Sequence, residues 1–214
     1  MSWQSMRPTV PGLGCRRIAI ALVTFLFTWF HPASALAHGS LAIGDFYTGM
    51  LHPLLHLETL LPIFALALWS GQLGGPHSLR LPLIFLAAAL LGASVGILEV
   101  ELQFERPLLR LSMLVLGLLV ATQGKPPALA AVAMALLFGI YHGHASTYDP
   151  GGQIARPLLF VAGLGSCIGL ILFHIVTRVL RYQAFWVKTG VRVLGSWIAA
   201  TGLLVLALEW AVTQ

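Results

Sequence analysis

One stretch limits what this chain can fold into more than any other: DFYTGMLHPLLHLETLLPIFALALW, residues 45–69. It is apolar and long enough to cross a bilayer, since about 20 residues at roughly 1.5 Å each span the hydrocarbon core. Yet it carries His52, His56 and Glu58. Ionisable groups at membrane depth are costly, and by default they mark function. Read as one continuous helix, the stretch puts Glu58 near mid-membrane and His52 nearer one surface. Positions four apart share a helical face, so His52 and His56 are expected as neighbours, with Thr59 one turn further on. Glu58 is expected off that row but within reach of the same cavity.

The rest of the chain has the same character. Of 214 residues, 58% are hydrophobic and only 9% charged, and the mean hydropathy is +0.89. Apolar runs of helical length recur from end to end, leaving no room for a soluble domain. The expected fold is all-α: a polytopic membrane protein, a bundle of about six transmembrane helices after a cleavable signal peptide. A pI near 9.8 raises nucleic acid as a partner. The basic residues are scattered through short loops instead of gathered in a patch, so no nucleic-acid partner is expected. Cys15 lies in the leader and Cys167 in an apolar run, which excludes a disulfide or a cysteine metal site.

Residues 1–37 have the layout of a secretory signal, with Arg7, Arg16 and Arg17 before an apolar Ile18–Phe30 and an Ala35-Leu36-Ala37 cleavage pattern. Cleavage makes His38 the mature N-terminus, where an amine and an imidazole on one residue can chelate a divalent metal; a frayed, unligated end is the plainer reading. The remaining chain, 38–214, is expected to form the membrane domain. Six spans fall near 46–70, 81–99, 107–122, 128–142, 155–177 and 190–210. The third and fourth are expected to pair as a hairpin, because the TQGKPP loop between them is tight. With the mature N-terminus outside, inner loops hold Arg80, Lys125, Arg178, Arg181, Lys188 and Arg192, against Arg106, Arg110 and Arg156 outside. That obeys the positive-inside rule. It fits a bacterial inner membrane with a periplasmic N-terminus, and it leaves an outer rim rich in carboxylates that attracts cations.

A second polar cluster, Tyr141-His142-Gly143-His144 followed by Asp149, falls on the same side as His52. Two histidine-bearing segments above Glu58 suggest a metal site leading inward. Imidazole with carboxylate suits nickel, cobalt, zinc or copper(II), and the lack of usable thiolates argues against copper(I). Helix-end histidines also serve as plain interfacial hydrogen-bonders. For Glu105-Arg106 two readings stand: a local ion pair, or an acid on the entry rim. His174 reads as a hydrogen bond to a neighbouring helix. The small-residue patterns Gly92–Gly96 and Gly165–Gly169 read as close helix packing. Trp69, Trp186, Trp197 and Trp210 read as interfacial aromatics. There is no HExxH and no P-loop, and no enzymatic activity is expected.

These segments resemble the HupE/UreJ family of membrane proteins, associated with nickel or cobalt uptake and often found alongside hydrogenase or urease. The family's first-helix motif has the form HPxxGxDH; the corresponding segment here is HPLLHLET. His52-Pro53 matches, Glu58 stands at the aspartate, Thr59 at the second histidine, and His56 replaces the glycine. FGIYHGHASTYD is similar to the family's FHGxAHGxE: His142-Gly143 and Ala145 match, Ser146 replaces a histidine, and Asp149 stands in for the glutamate. Glu105 falls at the family's glutamate and His174 at its fifth-helix histidine. In each motif one histidine is lost and another supplied, His56 and His144. Three outcomes are open: the same ion with rearranged ligands, a different ion, or lost transport.

The resemblance implies a secondary permease for a divalent transition metal, with the metal ion and the bilayer as partners and a metalloenzyme maturation system downstream. His38, Asp149 and Glu105 are expected to collect the ion, His52, His56, His142 and His144 to bind it at the outer mouth, and Glu58 to accept it. The alternatives are a non-transporting metal-binding accessory protein and a membrane haem protein using His52 and His142 as axial ligands.

Overall fold

The computed structural model describes residues 44–148 and 154–213. The leader, His38 and Asp149 lie outside the described residues. Every regular element among the described residues is helical: α1 (Asp45–Leu55), α2 (Leu57–Leu73), α3 (His77–Ile97), α4 (Glu105–Thr122), α5 (Ala128–Ala145), α6 (Pro157–Arg181) and α7 (Phe185–Thr213). Helices α3, α5, α6 and α7 are long and apolar enough to cross a bilayer, and α1 with α2 makes a fifth span if the bent pair counts as one. Helix α4 carries Glu105, Arg106 and Arg110 in its first six residues, which makes its N-terminal end too charged for a plain span.

The expected continuous first helix is broken. The axes of α1 and α2 diverge by 76°, and His56, between them, is extended at φ −109° and ψ 103°. Two prolines bracket the break, Pro53 inside α1 and Pro62 inside α2. A proline donates no hydrogen bond to the carbonyl four residues back and crowds it. Gly49 and Glu58 therefore lose their intrahelical partners on either side of His56. Glu58 becomes a first-turn residue of α2 instead of a mid-helix one, and its side chain is 48% exposed.

Packing runs along three glycine seams. A Cβ on Gly49 would collide with the carbonyl of Phe160, and one on Gly163 with that of Phe46, so α1 and α6 touch backbone to backbone. Gly92, Gly139 and Gly143 do the same for α3 against α5, and Gly117, Gly195 and Gly202 for α4 against α7. Without lipid-excluded hydrophobic force between helices, close backbone approach is the main source of association in a membrane. These seams overrule the expected α4–α5 hairpin: α5 lies along α3, and α4 along α7, with only slight contact between α4 and α5. The Gly92–Gly96 pattern does face α5, whereas Gly165 and Gly169 meet only the side chains of Leu90 and Leu86.

Two further expectations change. Trp69 is fully buried, not interfacial, and its Nε1–H donates to the Gly124 carbonyl at 2.8 Å. Trp186, Trp197 and Trp210 are exposed; Trp186 and Trp210 lie near the ends of α7 and Trp197 near its middle. His174 bonds the Leu170 carbonyl of its own helix at 2.9 Å, and no hydrogen bond to a neighbouring helix is found among the described residues.

Candidate functional site

The break at His56 opens a cavity of about 440 Å³. Its polar lining is His52, His56, Glu58, Thr59, Glu105 and Arg106, from the end of α1, the start of α2 and the start of α4. Helix ends explain why these residue types gather here. Glu58 and Glu105 sit in first turns, where the helix dipole favours an anion. His52 sits in the last turn of α1, and His142 and His144 in the last turn of α5, where it favours a cation.

His52 and His56 are neighbours as expected, with ring centroids 4.3 Å apart, although the chain between them is leaving its helix. The His56 amide still reaches the His52 carbonyl at 3.3 Å, which keeps the rings together across the bend. His52 also packs edge-on against Phe160 of α6.

Glu58 faces Arg110 of α4 at 3.7 Å, with the long geometry of a loose pair. The same guanidinium is in tight contact with Glu209 of α7. Arg110 thus ties α4 to α7 firmly and touches Glu58 only at its margin.

Glu105 belongs to the rim. It lines the cavity and pairs with His144 Nδ1, while the other ring nitrogen, Nε2, lies 2.7 Å from the Val100 carbonyl. His144 is fully buried and stacks on Tyr148 at 4.9 Å. It holds Glu105 in place and presents no nitrogen to the cavity. No ion pair joins Glu105 to Arg106 among the described residues.

His142 lies outside the cavity lining. It is buried, and its Nε2 lies 2.8 Å from the Ser112 hydroxyl, which itself donates to the Leu109 carbonyl at 2.5 Å. With that hydroxyl proton committed, Ser112 Oγ accepts from His142 Nε2–H. Nδ1 is then a bare lone pair, and it has no partner. Leu109 lines the cavity, so His142 is attached one turn along α4 from its wall. Among the described residues His52 lines this cavity and His142 does not. Among the described residues no three His, Cys, Asp or Glu side chains converge tightly enough to hold one ion.

The bend, the role of Ser112 and the Arg110–Glu209 tie were absent from the sequence reading. Pro53 and Pro62 signalled the first; nothing local signalled the other two.

Residues 25–205 match the family described as HupE / UreJ protein. A curated relative, Protein HupE of Rhizobium leguminosarum bv. viciae, is 29% identical over 145 residues, covering 63% of this chain and 76% of its own. No solved structure matches the chain.

Proposed function

The chain belongs to the HupE/UreJ family, and from that premise we propose that it carries a divalent transition metal, nickel or cobalt, inward across the bacterial inner membrane. The observation that supports this best is the cavity at the α1–α2 break, where two imidazoles and two carboxylates line one space. Both donor types suit a borderline dication, nickel and cobalt first, with zinc or copper(II) as alternative substrates.

A transported ion must bind well enough to enter and weakly enough to leave. Donors spread round a cavity of about 440 Å³ suit an ion that keeps part of its water shell and passes from one ligand to the next. His52 and His56 take the ion at the mouth, and Glu105, steadied by His144, attracts it. Glu58 accepts it next. Its bond to Arg110 is the looser of that arginine's two, so a dication can displace Arg110 while Glu209 keeps the guanidinium compensated. The bare Nδ1 of His142 is the next donor, reached by a rearrangement at Leu109 and Ser112. The membrane potential supplies about 2.3 kcal/mol per charge per 100 mV towards entry. In this reading the mature N-terminus is periplasmic, and the metal feeds a metalloenzyme maturation system.

The test is cellular accumulation of nickel and cobalt by wild type, Glu58→Gln and His52→Ala. Both variants are expected to lose most uptake at wild-type abundance. Uptake equal to wild type in both would end the proposal, and tight binding by reconstituted protein with no flux would make the chain an accessory protein instead.

A further inference from the structure

The opposite end of the bundle has a second pair of spaces that metal handling does not use. Gln72 of α2, Gln123 and Lys125 after α4, Tyr182 and Gln183 after α6, and Lys188 of α7 line a cavity of about 280 Å³. Next to it is a groove of about 410 Å³ walled by Leu68, Ile175, Val179, Val187 and Val191, with His174 and Arg178 also lining it; the His174 ring bonds the Leu170 carbonyl of its own helix through Nδ1. Val179, Tyr182, Val187 and Val191 line both, so the polar cavity and the apolar groove adjoin.

We propose that this composite space binds an anionic phospholipid with a hydroxylated head group, its phosphate against Lys125 and Lys188 and an acyl chain along the groove. Three independent features select this occupant. The first is charge. Lys125, Lys188 and Arg178 border the two spaces, and none takes part in the ion pairs found among the described residues. Basic pockets between transmembrane helices on the side favoured by positive charge attract anionic head groups. The second is an unmet hydrogen bond. Gln72 donates through Nε2 to the Val120 carbonyl at 3.1 Å, which leaves its buried Oε1 without a partner. A phosphate cannot donate to that oxygen, whereas a head-group hydroxyl can. The amide of Gln183, by contrast, is committed to the carbonyls of Val179 and Leu180. The third is depth. Tyr182 and Trp186 are exposed beside the cavity, at the level where aromatic side chains mark the head-group region.

The inference goes beyond metal transport and is tested without it. Full-length wild type, Lys125→Ala/Lys188→Ala, Lys188→Arg and Gln72→Leu are purified in mild detergent and offered phosphatidylglycerol or phosphatidylcholine. Bound lipid is counted by native mass spectrometry. Wild type is expected to retain phosphatidylglycerol about tenfold over phosphatidylcholine. The double alanine variant should lose that preference, Lys188→Arg should keep it, and Gln72→Leu should weaken phosphatidylglycerol more than phosphatidylethanol, an anionic diester with no hydroxyl to donate. Equal retention of both lipids by wild type, or an undiminished preference in the double variant, overturns the proposal. So does millimolar inorganic phosphate that binds here and displaces the lipid, because the space is then a free-anion site. Lys125 and Lys188 are exposed, and lost binding in their variant with an unchanged far-ultraviolet spectrum cannot be attributed to misfolding.

Discussion

His52 and His56 are the same residue type as His142 and His144, at the same end of the bundle, and the fold treats the two pairs in opposite ways. The first pair sits where a helix is broken by two prolines, with its rings on an open cavity. The second closes an unbroken helix whose glycines press against the backbone of α3, and both its rings are buried. His144 has both nitrogens occupied and His142 has one. Histidines four or two apart thus mean little until the helix carrying them is known to be broken or seamed. The broken one opens its imidazoles to the cavity, whereas the seamed one makes His144 framework and leaves His142 only an enclosed Nδ1.

The severest way to break this contrast is at the seam itself. Gly143→Ala places a Cβ against the Ala89 carbonyl, which is backbone and cannot rotate away. Overpacking costs about 1–3 kcal/mol, and a contact with unyielding backbone falls at the upper end of that range. The variant is expected to lose monodisperse protein in detergent, and both buried rings lose their pocket with it. Gly190→Ala, where no atom stands nearby and the backbone is ordinary helix, serves as the control for handling.

A smaller loss is expected from His142→Ala. It removes a buried ring and leaves the Ser112 hydroxyl oxygen without its donor, for about 2–3 kcal/mol in all. His52→Ala, which removes a half-buried ring from the cavity wall, should cost less, about 1 kcal/mol. Thermal unfolding of the two variants side by side measures the contrast directly. Equal losses would mean that His52 is framework too.

How much of this was legible in the sequence follows from where each signal lies. The all-helical architecture and the approximate place of each apolar run could be read because periodicity and Gly/Pro punctuation are local, although of the six expected spans only four helices, or five with the bent pair counted as one, are long and apolar enough to cross a bilayer. The His52–His56 neighbourhood could be read as well, though for a partly mistaken reason: the rings meet across a bend, not along a helix. Pro53 and Pro62 carried the correction, since two prolines nine residues apart strain any continuous helix between them. Trp69 was placed at an interface by its position, and its real partner is 55 residues away. The α4–α5 hairpin was inferred from a short loop, but helix pairing here follows glycine seams, and a seam needs both of its faces to be recognised. The split between available and buried histidines is likewise tertiary. Ser112, Val100 and Glu105, which commit the second pair, lie 30 to 44 residues from it.

The functional side of the contrast predicts a loss without unfolding. His52→Ala/His56→Ala removes both open imidazoles, and metal uptake is expected to fall about tenfold, equivalent to about 1.4 kcal/mol. Uptake of nickel measured at matched protein abundance decides it. A double variant that transports normally would place the ion's first ligands among the carboxylates alone.

The finest test concerns the carboxylates, which divide as the histidines do. Glu105 is held by His144, whereas Glu58 touches Arg110 only at 3.7 Å because that guanidinium is drawn to Glu209. Glu209→Gln weakens the competing attraction without adding a group to the cavity. Arg110 should then move onto Glu58 and compete with an incoming dication. Surface-accessible ion pairs are worth up to about 1 kcal/mol, so uptake should fall no more than about fivefold. The signature is in its form: the apparent affinity for nickel weakens while the rate at saturating metal is unchanged, since a high ion concentration displaces the arginine again. A fall in the saturating rate alone would mean that Arg110 holds α7 against α4 and leaves Glu58 untouched, and the looseness of the Glu58 pair would then have no part in letting the ion through.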